Sequence, residues 1–427
     1  MQIHVVSQGQ SIYGIAQAYS ISPEKIISAN QLDAPDRLVV GQALVIPITG
    51  RFYYVQPGDS LYTISQKFDL TPQELASINR IAVNKQLLTG TRLYIPPAKK
   101  TSAAFNAYIE PRGTAVSKTL ENSAREAAPH LTYLAPFSFE AKRDGSLKPP
   151  LLDSFPMIAK DNGVVLMMVV SNLEEEKFSD DLATILLTDM GVQNKLLDNI
   201  EKTASNYGFR DIHFDFEAMT AKNREPYADF LRRAKQRFDE KGWDISIAMA
   251  PKTKANQEGV WYQAHDYPTL GAIVDFVVIM TYEWGYSGGP AQAVSPIGPV
   301  RQVLEYAVSE IPSRKVMMGQ NLYGYDWTLP FKPGTTAKAV SPQQAITIAR
   351  ENNAVIKYDE TAQAPFFTYR DPSGSDHEVW FEDARSIQAK FNLLKELNLY
   401  GMSYWKLGLS FPQNWLLLEN DFNVIKK

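Results

Sequence analysis

Hydrophobic and polar positions follow two different rhythms along this chain. Up to residue 97 the apolar runs are short: extended segments at 3–6 and 52–55, and closing segments at Ala43–Ile46 and Arg92–Ile95. Between them lie positions at helical spacing, Ile12, Ile15, Ala16 and Tyr19, matched by Leu61, Ile64, Ser65 and Phe68. These patterns predict strand, helix, helix, strand, twice over. Gly9, Ser11, Pro23, Asn30, Gly41 and Pro47 recur as Gly58, Ser60, Pro72, Asn79, Gly90 and Pro96, each 49 residues on, so the two units are an internal repeat. Ser22-Pro23 and Thr71-Pro72 start the second helix of each unit, and Thr71 with Glu74 fits a capping box. The units span 1–48 and 51–97, and the stretch 98–104, rich in Lys and small residues and following Pro96-Pro97, reads as a linker.

From residue 105 to 427 apolar strand-like runs alternate with helical periodicity. Strands are predicted at 105–109, 131–139, 164–171, 211–217, 245–250, 273–282, 315–323 and 399–405, with helices between most of them, such as 180–205, 227–241, 299–311 and 386–397. Eight strands alternating with helices predict an α/β fold, a TIM (β/α)8 barrel. The competing architecture is an open doubly wound sheet, but the Gly-rich phosphate turn of its nucleotide-binding versions is absent. An excess stretch at about 328–383, with a helix at 341–352 and short strands, predicts a small α+β insertion after the seventh strand.

Composition narrows the function. A net charge of −4 argues against nucleic-acid binding, and the absence of Cys removes disulfides and thiolate metal sites. Five His residues form no metal-ligand spacing, so neither a metal nor another cofactor is expected. The first residues lack the basic and apolar regions of a signal peptide, and no run of apolar residues is long enough for a membrane span. Export by a signal peptide and membrane association are therefore not expected.

The candidate chemistry lies in Asp211-Ile212-His213-Phe214-Asp215-Phe216-Glu217. In a strand, Asp211, His213, Asp215 and Glu217 share one face while Ile212, Phe214 and Phe216 share the other. A half-exposed strand with a solvated polar face would look the same. Buried together, however, these groups cost free energy unless partners or a substrate answer them, which marks a candidate active site.

The stretch resembles the Asp-x-x-Asp-x-Asp-x-Glu motif of family 18 glycoside hydrolases, the chitinase-like family, at the end of the fourth strand of their TIM barrel. Gly208-Phe209 precedes it, and the four motif places hold Arg210, His213, Asp215 and Glu217, so the last two acids match and the first two do not. The resemblance implies Glu217 as general acid and then base. It implies that Asp215 orients the substrate's own 2-acetamido group, whose carbonyl attacks the anomeric carbon. Met280-Thr281-Tyr282-Glu283 is similar to the family's Met-x-Tyr-Asp, so Tyr282 would hydrogen-bond the acetamido oxygen, with Glu283 in place of Asp. Trp405 would floor the sugar pocket, with Tyr323, Tyr325, Trp284 and Tyr286 as weaker sugar contacts. His213 stands where the family has an Asp that bonds the catalytic Asp, and an imidazole there could donate to Asp215. The family also commonly carries an insertion after the seventh strand.

The repeats resemble LysM modules, which bind N-acetylglucosamine-containing glycans between the loop after the first strand and the loop after the second helix. That implies glycan contacts at Gly9, Ser11 and Asn30, and at Gly58, Ser60 and Asn79. For any one of these residues a turn or cap role is the plainer reading. Together, modules and barrel resemble bacterial spore-germination hydrolases that degrade cortex peptidoglycan. The implied activity is retaining hydrolysis after N-acetylglucosamine by a monomer located in the spore. A chitin or chito-oligosaccharide hydrolase and a non-catalytic glycan-binding protein are the alternatives.

Overall fold

The structure, a computed structural model, describes all 427 residues. Eight strands form the barrel: β1 (Thr101–Ile109), β2 (Tyr133–Pro136), β3 (Val165–Ser171), β4 (Asp211–Asp215), β5 (Asp244–Met249), β6 (Phe276–Ile279), β7 (Val316–Asn321) and β8 (Gly401–Trp405). Each pairs in parallel with the next, and β8 returns to β1, so the sheet has no open edge. A parallel strand covered by helices is buried on both faces, which is why β3, Val-Leu-Met-Met-Val-Val-Ser, reads as a continuous apolar run. On β4 the outward residues Ile212 and Phe214, with Phe216 just beyond, are fully buried against Tyr227 and Phe230 of the helix Arg224–Asp239. Asp211, His213 and Asp215 of the polar face are buried inside the barrel, and Glu217 is half-buried.

The insertion lies between β7 and the helix Ala384–Glu396. It contains five antiparallel strands, Gly324–Leu329, Lys338–Val340, Lys357–Asp359, Ala364–Arg370 and Asp376–Trp380, and the helix Pro342–Glu351. It opens earlier than the expected 328, because Gly324–Leu329 pairs with Asp376–Trp380 instead of trailing from the barrel.

Three further expectations need correction. The linker is shorter than 98–104, because β1 starts at Thr101. Its first residues are small where chains crowd together: Ala103 and Ala104 are fully buried, the strand Phe422–Val424 pairs alongside, and a Cβ on Gly401 would lie 1.7 Å from the Ala104 carbonyl oxygen. The helix expected at 180–205 is two, Asp180–Thr188 and Met190–Tyr207, split where Asp189 Oδ1 accepts the backbone N–H groups of Gly191 and Val192 and caps the second. The strand expected at 273–282 is only β6, with Ile273 ending the helix Tyr267–Ile273, so Tyr282 stands in the loop past the strand.

Each N-terminal unit forms the predicted strand, helix, helix, strand. Gln2–Val5 pairs with Ala43–Ile46, and Arg51–Tyr54 with Arg92–Ile95. The Thr71 and Glu74 capping box forms, with Glu74 N–H donating to Thr71 Oγ1 and Thr71 N–H to Glu74 Oε2. No helix of the protein is long and apolar enough to cross a membrane.

Candidate active site

Asp215 ends β4, and Glu217 follows at the barrel's C-terminal mouth, where TIM barrels carry their chemistry. The backbone at Glu217 is clamped. Asn172, just past β3, takes the Glu217 N–H on Oδ1 and donates from Nδ2 to the Glu217 carbonyl, both at 2.9 Å. His265 donates through Nε2 to the Phe216 carbonyl at 3.0 Å while its Nδ1 accepts the Ala250 N–H, which fixes a neutral tautomer. Burial lowers the His265 pKa to about 4, in keeping with that state.

The Asp215 and Glu217 carboxyls are hydrogen-bonded to each other. Removal from bulk water raises both pKa values. Their mutual contact then divides them, because the shared hydrogen bond lowers Asp215 and raises Glu217, whose neighbour's charge raises it further. Burial pushes Asp215 up to about 7, and because their contact lowers Asp215 and raises Glu217, Asp215 is the first of the pair to ionise and Glu217 is the one that keeps its proton. Asp215 Oδ1 is buried and has no hydrogen-bond partner. A carboxylate oxygen left bare in this way carries an unmet demand for a donor.

Beneath Asp215 a buried chain of hydrogen bonds crosses the barrel. Ser246 Oγ donates to Asp211 Oδ1 at 2.6 Å, so it must accept from His213 Nδ1 at 2.7 Å. His213 Nε2 then accepts the Tyr108 hydroxyl proton at 2.8 Å. Strand register builds the chain: His213 sits directly opposite Ser246 of β5, and Tyr108 comes across the barrel from β1. The expected donation from His213 to Asp215 is therefore corrected, because both ring nitrogens are occupied elsewhere. Burial lowers the His213 pKa to about 3 and raises that of Asp211 well above the ordinary carboxylate range, so both are neutral.

Tyr282 stands among carboxyls, since Glu217, Asp215 and Glu283 all act on its hydroxyl and with burial hold its pKa well above the usual phenol value. Gly319 of β7 makes room for the ring, as a Cβ there would lie 2.9 Å from the Tyr282 Cε1. Glu283 adopts a left-handed backbone with φ of 68°, a strained conformation for a side chain of its kind. The hydroxyls of Tyr323 and Tyr325 both donate to its Oε1 and hold it there. Tyr323 is buried, with its hydroxyl bound to Glu283. Trp284 packs half-buried against the main core, and its backbone N–H is bound to the Val294 carbonyl. Trp405 ends β8 half-buried, with the edges of Tyr108 and Phe137 against it at centroid distances of 5.5 and 4.8 Å. Tyr286 is exposed.

In the N-terminal units, Gly9 and Gly58 make the turns, with φ of 80° and 85°. Ser11 and Ser60 cap the following helices by accepting the N–H groups of Gly14 and Thr63. Asn30 is a buried bracket: its Nδ2 donates to the Ile26 and Val45 carbonyls and its Oδ1 accepts the Val45 N–H. Asn79 does the same with Leu75 and Tyr94. The side chains of Asn30 and Asn79 are thus spent on the fold and do not meet the expectation of glycan contact. Tyr108, Ser246, Asn172 and His265 escaped the sequence reading. Only the alternation that put His213 on the inner face hinted that something across the barrel must answer it.

A sequence model described as Glycosyl hydrolases family 18 matches residues 125–409, and one described as LysM domain matches 4–47 and 53–96. The chain is 63% identical over 428 residues to the cortical fragment-lytic enzyme of Bacillus subtilis strain 168, covering 100% of this chain and 99% of that protein. The crystal structure of the Bacillus megaterium QM B1551 spore cortex-lytic enzyme SleL superposes with a TM-score of 0.92 at 51% identity, covering 100% and 99% of the two chains. A chitinase from Chromobacterium violaceum ATCC 12472 shares the fold at a TM-score of 0.67 and 23% identity, covering 74% of this chain and 98% of that one.

Proposed function

Because the chain belongs to glycosyl hydrolase family 18 and is a glycoside hydrolase, we propose that it cuts the β-1,4 bond after N-acetylglucosamine in spore cortex peptidoglycan or its fragments during germination. The observation that carries the mechanism is the Asp215 and Glu217 pair at the barrel mouth, where the two carboxyls act directly on each other's protonation. Carboxyls close enough to shift each other's protonation leave no room for a sugar between them, whereas a retaining pair with an enzymic nucleophile is spaced to flank the anomeric carbon. The nucleophile is then the substrate's own acetamido oxygen.

Glu217 gives its proton to the glycosidic oxygen as that oxygen's bond to C1 breaks. The acetamido carbonyl oxygen closes on C1, and the positive charge spreads onto the nitrogen, whose N–H is met by the Asp215 carboxylate. Tyr282 donates its hydroxyl to the acetamido oxygen and holds it in line. Water then attacks C1 and yields its proton to the Glu217 carboxylate, which restores the acetamido group with the original anomeric configuration. Trp405 offers a flat apolar ring to the sugar. The muramic lactam of cortex has no free acetamido group, so the bond served is the one after N-acetylglucosamine. The N-terminal LysM region tethers the enzyme to the glycan, and the spore is where it acts. The printed names of the relatives, a cortical fragment-lytic enzyme and a spore cortex-lytic enzyme, fit this substrate.

The test is release of reducing ends from purified spore peptidoglycan fragments, with the new terminus identified. The intact protein is expected to produce N-acetylglucosamine ends, and Glu217→Gln to lose them by about 10²–10⁴-fold. New ends on muramic acid, or faster cleavage of chitin oligomers than of cortex fragments, would overturn the reading.

A further inference from the structure

The internal repeat supplies its own control, because the two N-terminal modules share a fold but not surroundings. In the first, the connection from the second helix to the closing strand is tied to the catalytic unit at both its ends. Gln343 donates to the Asn30 carbonyl at 2.8 Å, Gln31 donates to Glu126, and Arg350 holds both oxygens of Asp33 at 2.7 and 2.6 Å. Val39 is 5% exposed and packs with Ile356, Val340 and Ala345 of the insertion. Ile356 N–H donates to the Val40 carbonyl and Arg385 to that of Gly41. The closing strand Ala43–Ile46 is wholly buried, with Ala43 and Val45 in the barrel's own core.

The second module carries none of this. It touches the first through Gln2 with Phe52, Arg92 with the Ala18 carbonyl and Tyr94 with the Thr49 carbonyl, and it has a core of its own. Its equivalent connection is open. Leu88, the counterpart of Val39, is 75% exposed, and Val83 is 48% exposed. Gly41 and Gly90 show the same contrast, since a Cβ on Gly41 would lie 1.8 Å from the Ile356 carbonyl oxygen and one on Gly90 would meet nothing.

We propose that the first module is a fixed part of the catalytic unit and that the second alone retains the protein on the glycan. This rests on the reading above that LysM modules here serve glycan binding. A ligand that must lie between the two loops of a module finds one lip of the first module closed by the insertion. In the second it finds both lips free, with Val83 and Leu88 offering apolar surface to pyranose faces and acetyl methyls.

The full-length protein carrying Val83→Asp and Leu88→Asp tests this by co-sedimentation with insoluble spore peptidoglycan, alongside hydrolysis of short soluble fragments. Both side chains are exposed, so the fold tolerates the changes. Retention is expected to fall roughly tenfold or more, the scale of a lost tether, while cleavage of short fragments is unchanged. A second protein lacks residues 51–95, with Gly50 joined to Pro96. The ends meet, because Arg51 pairs with Ile95 and Gly50 abuts the Ile95 carbonyl. It is expected to lose retention and keep its melting temperature. If it stays on the glycan, the binding lies in the first module or in the cleft of about 410 Å3 between Gln31–Ala34 and Pro342–Glu351, and the proposal is wrong. A lowered melting temperature would equally overturn it, by making the second module a structural part. Failure of the intact protein to cleave fragments would strike the proposed function and leave the retention result to stand by itself.

Discussion

Replacing Asp215 by Asn removes one carboxyl from a buried pair and leaves Glu217 without an anion at hydrogen-bond distance. Two of the three causes that raise the Glu217 pKa, the Asp215 charge and the shared hydrogen bond, disappear, and only burial remains. Glu217 must be protonated to act as an acid, so activity is lost at high pH as it ionises, and a lower pKa brings that loss to lower pH. A neighbouring charge moves a pKa by about 1–3, so the alkaline limb of the kcat/KM profile should move acidward by about one pH unit or more. The same substitution takes away the anion that meets the acetamido N–H, which should lower kcat by about 10²–10³-fold. The assay is initial rates on a soluble N-acetylglucosamine-containing fragment from pH 4 to 9, with long incubations for the variant, at about unit pH intervals. An alkaline limb that stays in place or moves upward would refute the division of roles between the two carboxyls. So would a kcat close to that of the unmodified protein.

Asp211 is neutral in the fold and ionised in the unfolded chain above about pH 4, so folding takes up a proton there. Stability contributed at this site is present at low pH and falls by about 1.4 kcal/mol per pH unit between the unfolded and folded pKa values. Asp211→Asn should remove that fall, so the difference in unfolding free energy between variant and parent should grow in the variant's favour as pH rises from 4 to 7. Equal slopes would contradict a neutral Asp211. Tyr108→Phe deletes the donor to the buried His213 Nε2 and should lower stability by about 1–3 kcal/mol, read by denaturant unfolding. Gly41→Ala and Gly90→Ala incur the same left-handed backbone cost of about 1–2 kcal/mol, but only the first drives a methyl into Ile356 and adds about 1–3 kcal/mol of overpacking. Thermal unfolding should rank Gly41→Ala clearly below Gly90→Ala, and equal melting temperatures would count against a rigidly docked first module.

What the sequence determined by itself is what repeats locally. Alternation on β4 put Asp211, His213 and Asp215 on one face, the 49-residue offset exposed the two modules, and eight apolar runs separated by helical spacing announced the barrel. Local periodicity has its physical cause in the geometry of one strand or one helix, so it can be read before any partner is known. The start of β1 was hidden for the opposite reason. Thr101-Ser102-Ala103-Ala104 has no apolar run, because neighbouring chains leave room only for small side chains.

The tertiary structure decided which groups answer one another. Barrel closure and register brought Ser246 and Tyr108 to His213, so its imidazole serves a buried chain beneath Asp215 and does not reach Asp215 itself. The same holds for the modules. Nothing within either repeat distinguishes Val39 from Leu88 as a surface position, yet packing of the insertion buries one and leaves the other in solvent. Contacts between residues far apart in the chain are fixed by how finished elements pack, and that information is carried by both partners together, not by either stretch alone.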